Sequence, residues 1–129
     1  MVNKKDKPKI AYLSYPFSKD PVGYTKEVCS LAKEIMKKHT DIFIIVPHSA
    51  VDYTLFGEPK DISGYQDKDH LLAPQLEFTI LWNIDIFIRG KPLDSKVSIG
   101  CIWEEAFVRW LNTWRDKKIK ITTPEELTK

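Results

Sequence analysis

The sequence has few glycines and no glycine-rich motif. Its five glycines, in a chain of 129 residues, form neither GxGxxG nor GxxxxGK[ST], so a dinucleotide-binding Rossmann site and a P-loop nucleoside triphosphatase are disfavoured. GxSxG is also missing, which leaves an α/β-hydrolase triad without its nucleophile. The three histidines are dispersed and no CxxC pair occurs, so we expect neither a metal nor a cofactor.

Long apolar runs and a strong net charge are missing as well. No apolar run approaches the roughly 20 residues of a membrane span, and the basic start MVNKKDKPKI is not followed by the apolar stretch of a secretory signal. The formal charge is +2, but the first nine residues carry +3 and the remainder −1, which gives little electrostatic reason to bind nucleic acid. We expect a cytoplasmic protein that binds neither membrane nor nucleic acid, with Cys29 and Cys101 as reduced thiols.

Length and composition are those of one ordinary globular domain. The chain has a mass of 15.0 kDa, and 43% of its residues are hydrophobic and 29% charged. The basic start predicts a disordered tail over residues 1–8. Residues 9–129 are predicted to form a single α/β domain.

Apolar runs and amphipathic segments alternate along the chain. A helix is predicted to begin at Asp20-Pro21, an N-cap followed by proline, and a long loop to cover residues 47–69, with a helical turn near residues 50–55. The other predicted elements are strands at Ile10–Leu13, Ile42–Val46, Ile84–Ile88 and Ile119–Ile121, and helices at Leu71–Asn83 and Ser98–Arg115. This alternation favours a three-layer, doubly wound parallel sheet of four to five strands, Rossmann-like or flavodoxin-like. Such sheets bind ligands at the carboxyl ends of their strands.

One carboxylate lies in an unusually apolar stretch of the sequence. Glu77 is the only charged residue between Leu71 and Ile84, and a buried carboxylate is costly to desolvate unless it has partners. Two explanations remain open on the sequence. Glu77 either reaches solvent or pairs with Arg89, or it faces a functional cleft.

The last long helix carries two adjacent glutamates. At about 100° per residue, an apolar face is predicted to run along it through the residues Ile99, Ile102, Trp103, Phe107, Trp110, Leu111 and Trp114. Glu105 and Arg109 fall opposite and are predicted to form a solvated ion pair. Glu104 falls at the border of the apolar face and is the candidate for chemistry. We expect most of the four tryptophans in the core, with an apolar dimer face as the alternative.

Three segments resemble one enzyme superfamily. The run Ser98-Ile-Gly-Cys-Ile-Trp-Glu104 resembles the S-x-G-x-x-x-E signature of the nucleoside 2-deoxyribosyltransferase-like superfamily, which includes deoxyribosyltransferases and nucleoside 5′-monophosphate N-glycosidases. The segment Ala-Tyr12-Leu-Ser-Tyr-Pro-Phe is similar to the first strand and loop of that superfamily. Glu77 precedes Asp85 at the spacing of the superfamily's acidic residue, although aspartate is usual there. After Glu104 the chain departs from the usual E-x-G-x-A.

The resemblance implies roles for individual residues. Glu104 would attack the anomeric carbon, Tyr12 would orient its carboxylate, and Glu77 would contact the sugar or base and help to protonate the departing base. Substrate would be bound by Ser14, Pro16, Phe17, Ser18, Lys19, Ser98 and Gly100, with Ser14, Ser18 and Lys19 completing a phosphate cradle. Serine at position 98 favours a 5′-phosphate, where an aspartate would repel it. Tyr12 as a core residue, Ser98 as a plain N-cap and Lys19 as a surface lysine remain alternatives.

The expected function is therefore cleavage of the N-glycosidic bond of a (deoxy)nucleoside 5′-monophosphate or nucleoside, with water or another base as acceptor. The expected partner of the protein is a second copy of itself, in a homodimer or larger homo-oligomer, since the superfamily's sites often borrow residues across a dimer. A non-catalytic nucleotide-binding module on the same scaffold is the alternative. A small interaction domain without a ligand is the third interpretation.

Overall fold

The computed structural model describes residues 7–17, 19–48, 69–94 and 99–128. In these residues, four parallel strands form one sheet in the order β2-β1-β3-β4. The strands are β1 (Lys9–Ser14), β2 (Ile42–Ile45), β3 (Ile86–Arg89) and β4 (Lys120–Thr122); the helices are α1 (Pro21–Lys38), α2 (Asp69–Trp82), α3 (Ile99–Trp114) and α4 (Pro124–Leu127). This confirms the predicted three-layer α/β fold.

Apolar side chains form a separate core on each face of the sheet. On one face, Leu13 of β1 packs with Val28 and Ile35 of α1. On the other face, Tyr12 of β1 and Phe87 of β3 pack with side chains of α2 and α3 such as Leu81, Val108 and Leu111. Because successive strand residues point to opposite faces, β1 contributes to both cores.

Most element boundaries lie close to the prediction. The N-cap of α1 is Asp20, whose Oδ1 accepts a hydrogen bond of 3.1 Å from the Gly23 amide, with Pro21 in the first turn. The third strand is shifted, since β3 runs from Ile86 to Arg89 instead of Ile84 to Ile88. The short helix α4 was not predicted, although Thr123-Pro124-Glu-Glu is a helix-start pattern.

The predicted surface position of Glu105 is wrong. Its carboxylate is only 3% exposed and accepts hydrogen bonds from Arg89 at the end of β3, as well as from Arg109 one helical turn away. The i,i+4 pair with Arg109 forms as expected. The helical wheel could not show the Arg89 guanidinium, which neutralises Glu105 at the sheet and so permits its burial.

The predicted core position of most tryptophans is also wrong. Residues Trp82, Trp103, Trp110 and Trp114 are between 44% and 58% exposed, whereas the sheet-facing side of α3 is formed by Cys101, Glu104, Glu105, Val108 and Leu111. The helix thus packs on the sheet with the face that carries both glutamates. Its more aromatic side is turned outward, because both acids form hydrogen bonds with residues of β1 and β3.

Several predictions fall on residues outside the described ranges. They are residues 1–6 of the tail predicted over residues 1–8, most of the loop predicted over residues 47–69 with its turn near residues 50–55, and the site residues Ser18 and Ser98. Within the described ranges, no helix is long and apolar enough to cross a membrane. Cys29 and Cys101 form no disulfide.

Candidate active site

The candidate site lies between β1 and β3, where the order in which strands are added to the sheet reverses. The chain leaves β1 for β2 on one side and later returns to β3 on the other, so the carboxyl ends of β1 and β3 flank the switch point at which open α/β sheets bind ligands. Tyr12 and Ser14 are two residues apart on β1 and point to the same face. Helix α3 covers that face and brings Glu104 above them.

Both carboxylate oxygens of Glu104 are held by strand β1. The Tyr12 hydroxyl donates a hydrogen bond to Oε2, and the Ser14 hydroxyl donates one of 2.7 Å to Oε1. Glu104 is only 5% exposed, while Tyr12 is fully buried and stacks on Phe87 at a centroid distance of 6.1 Å. The strand therefore fixes the orientation of the carboxylate.

Glu77 joins this site from α2. Its half-buried side chain is hydrogen-bonded to the carboxyl group of Glu104. Two carboxyl groups can share a hydrogen bond only if one of them is protonated, so the pair holds one proton. Arg89, considered above as a partner of Glu77, instead gives its Nε and Nη2 donors to Glu105.

The electrostatics distinguish the two acids. Burial raises the pKa of Glu104, and the hydrogen bonds from Tyr12, Ser14 and Glu77 oppose that rise. Burial and the neighbouring Glu104 charge raise the pKa of Tyr12 well above its usual value, so its hydroxyl stays protonated and acts as a donor. Tyr12 and Ser14 donate to Glu104, and their hydrogen bonds, like that of Glu77, favour its ionised form.

Cys101 lies one helical turn before Glu104 and was not among the predicted site residues. Burial, together with the nearby Glu104 charge, raises the pKa of its thiol to about 12. A thiol with such a pKa is a poor nucleophile at neutral pH. Its sulfur is hydrogen-bonded to the Ser14 hydroxyl, so Cys101 is a direct neighbour of Ser14 in the site.

The loop after β1 is held by a histidine that the sequence analysis did not single out. The Nε2–H of buried His48, which follows β2, donates a hydrogen bond of 2.8 Å to the Pro16 carbonyl, and its ring lies 5.2 Å from that of Phe17. Burial lowers the pKa of His48, which favours the neutral ring. Pro16 is buried, Phe17 is half-buried and Lys19 is exposed.

At the start of α3, Gly100 is exposed. A Cβ atom added there would meet no atom of the described residues within 4 Å, which leaves room beside the backbone at this point. Ser98 and Ser18 lie outside the described residues, and a phosphate cradle that includes them stays a prediction. Among the residues that the structure describes, no group of three His, Cys, Asp or Glu side chains is arranged to hold a metal ion.

The fold and the site define a doubly wound α/β protein with a buried carboxyl pair at its switch point. Comparison with known proteins adds no family: no family model, no curated protein and no solved structure matches the chain. The resemblance to the nucleoside 2-deoxyribosyltransferase-like superfamily therefore depends on the residues of this sequence alone.

Proposed function

We propose that the protein cleaves the N-glycosidic bond of a (deoxy)nucleoside 5′-monophosphate or nucleoside. The observation that carries the proposal is the convergence of Tyr12, Glu77 and Glu104 from three different elements on one buried point. The same three residues carry the catalytic roles in the resemblance. A carboxylate fixed in this way suits a reaction whose transition state develops positive charge at the anomeric carbon.

In the proposed first step, an oxygen of Glu104 attacks the anomeric carbon while the bond to the base nitrogen breaks. The base leaves with the electron pair of that bond and takes the Glu77 proton. In the second step, water attacks the same carbon, releases Glu104 and returns a proton to Glu77. A second base can replace water, and the reaction is then a transfer instead of a hydrolysis.

The contact between the two carboxyl groups supports double displacement. Single displacement with inversion needs about 6.5–9.5 Å between the carboxyl groups to admit a water molecule. Retaining enzymes hold the two carboxyl groups about 5–5.5 Å apart. The hydrogen bond between Glu77 and Glu104 is closer to that spacing than to the wider one. Retention through a glycosyl-enzyme intermediate is therefore the favoured course.

The test is incubation with a panel of nucleotides and nucleosides, with and without an acceptor base, followed by chromatography of the released base. Glu104→Gln should abolish base release while the fold and ligand binding are largely kept. Glu34→Gln, which changes an exposed glutamate of α1, is the matched control and should behave as wild type. Base release by Glu104→Gln at the wild-type rate would overturn the proposal.

A non-catalytic nucleotide-binding module is the second candidate, because the same buried carboxyl pair can hold a ribose or base without chemistry. It predicts that a nucleotide raises the melting temperature while no base is released on long incubation. The proposal also includes a second copy of the chain as partner, in a reducing compartment such as the cytoplasm. The surface described next supports that part of the proposal.

The aromatic surface, defined as Phe78, Trp82, Phe107, Trp110 and Trp114, joins the outer sides of α2 and α3. Neighbouring ring centroids in it are 4.8–6.2 Å apart. Its three tryptophans are exposed, while Phe78 and Phe107 are half-buried and pack against the core. Clustered aromatic rings are typical of protein interfaces, and a two-fold axis would bring the surface against its own copy. A homodimer through this surface is accordingly part of the proposed function.

A further inference from the structure

Ser14 ends β1 directly under the candidate nucleophile. Its side chain is 2% exposed, and its hydroxyl oxygen lies 2.7 Å from Oε1 of Glu104. Its backbone is fixed as well, because its carbonyl accepts a hydrogen bond of 2.9 Å from the Gly90 amide and its Cα pairs with that of Arg89 on β3. The hydroxyl is therefore presented to Glu104 from a rigid element.

A serine hydroxyl has one proton to donate. In this site that proton goes to Glu104. The Cys101 sulfur is also hydrogen-bonded to the Ser14 hydroxyl, and burial keeps its thiol protonated by raising its pKa to about 12. The Ser14 hydroxyl is thus oriented toward the Glu104 carboxylate by the hydrogen bond that it donates.

From this arrangement we infer that Ser14 is a positioning residue, which holds Glu104 in its reactive orientation together with Tyr12. The inference rests on the proposed function, in which Glu104 is the nucleophile. With one donor on each oxygen, the carboxylate cannot rotate about its last bond without breaking a hydrogen bond. Reacting groups held in this way need less reorganisation in the transition state.

The same contacts argue against Ser14 as a phosphate ligand, which is the role implied by the resemblance. A phosphate that accepted the Ser14 proton would lie next to the Glu104 carboxylate, and two anions so close repel each other strongly in a buried site. The substitution of Ser14 should consequently affect chemistry more than substrate binding.

The test compares Ser14→Ala with Ser14→Thr, which restores a hydroxyl, and with Ser30→Ala, which changes an exposed serine of α1. Loss of a hydrogen bond to a charged group should lower kcat by ~10- to 100-fold in Ser14→Ala, with little change in KM. The acid limb of the pH–rate profile should move to higher pH, since the carboxylate loses a donor that favours its ionised form. Ser14→Thr should recover part of the rate, and Ser30→Ala should match wild type.

A direct titration makes the result independent of turnover. The 13C resonance of the Glu104 carboxyl group, assigned by its loss in Glu104→Gln, should titrate at higher pH in Ser14→Ala than in wild type. Should Ser14→Ala not fold, Ser14→Cys supplies the same comparison, because a thiol of similar shape is a weaker donor.

The outcomes separate the two proposals. A wild-type protein that releases no base refutes the proposed function, whatever the titration shows. An active wild type whose Ser14→Ala variant has an unchanged kcat and acid limb overturns the positioning role alone. A rise in KM restricted to phosphorylated substrates, with kcat unchanged, would instead assign Ser14 to phosphate binding.

Discussion

Arg89 at the end of β3 forms a bidentate ion pair with Glu105 on α3. Its Nε donates a hydrogen bond of 2.7 Å to Oε1 of Glu105, and its Nη2 donates one of 2.6 Å to Oε2. The neighbouring residue of the helix, Glu104, is held by Tyr12 and Ser14 of β1. Two successive acids thus attach one turn of α3 to the two central strands, on either side of the switch point.

Glu105→Ala should destabilise the protein. The substitution leaves the partly buried Arg89 guanidinium without its partner, and we expect a loss of ~1–3 kcal/mol in the free energy of unfolding, measured in urea. Arg109 is more exposed than Arg89, so Arg109→Ala should cost less than ~1 kcal/mol. Glu34→Ala on α1 is the control. A loss for Glu105→Ala no greater than that for Glu34→Ala would contradict the structural role of the pair.

The difference in the free energy of unfolding between Glu105→Ala and wild type should also depend on pH. The hydrogen bonds from Arg89 and Arg109 lower the pKa of Glu105. The stabilisation from a group with a lowered pKa is complete above the unfolded value of about 4.3 and is lost as the pH falls through the folded value. The two proteins should therefore converge in stability in acid, and a difference that widens there would contradict this assignment.

The hydrophobic pattern predicted the elements of the fold but misassigned the faces of α3. Strand runs such as Ile42–Ile45 and the capped start of α1 are local signals, and they were sufficient for the order of elements and the sheet class. The buried side of α3 depends on Tyr12, Ser14 and Arg89, which are distant in sequence. A wheel that ranks side chains by hydrophobicity places Trp110 inside and Glu105 outside, because it contains no information about these partners.

Charge substitutions in the aromatic surface should disrupt the proposed dimer. The double substitution Trp110→Glu and Trp114→Glu would bring like charges together across a two-fold axis. We therefore expect sedimentation velocity to show a monomer for this variant and a dimer for the wild type. Phe43→Glu is the matched control, since Phe43 is an exposed aromatic residue on the edge strand β2, outside this surface. A wild type that remains monomeric at high micromolar concentration would contradict the dimer.

Gly90→Ala should destabilise the protein by disturbing the contact between the carboxyl ends of β1 and β3. A Cβ atom at Gly90 would lie 2.7 Å from the Ser14 carbonyl oxygen and 2.5 Å from Cδ1 of Tyr15, and a backbone shift to relieve the clash would break the hydrogen bond from the Gly90 amide. We expect a loss of ~1–3 kcal/mol in urea unfolding. Gly100→Ala is the control, because its Cβ meets open space and alanine favours a helix. Equal effects of the two substitutions would contradict the steric argument.

The candidate site was predictable in part. The apolar sequence around Glu77 indicated that residue, and a short sequence resemblance indicated Tyr12 and Glu104. The structure brings all three together. His48 and Cys101 carried no such signal, since a single histidine or cysteine has many structural roles. The Ser14 contact with Glu104 spans 90 residues of sequence and depends on the register of β1 under α3.

The buried Glu104 should make the stability of the protein depend on pH in the opposite sense to Glu105. Burial raises the pKa of Glu104, and the stabilisation from a group with a raised pKa is complete below its unfolded value of about 4.3 and is lost as the pH rises through its folded value. Glutamine at this position has no charge to bury. The melting temperature of Glu104→Gln, relative to wild type, should therefore increase from about pH 4 to about pH 8. Glu34→Gln should show no such trend, and a flat or falling difference for Glu104→Gln would mean that the pKa of Glu104 is not raised.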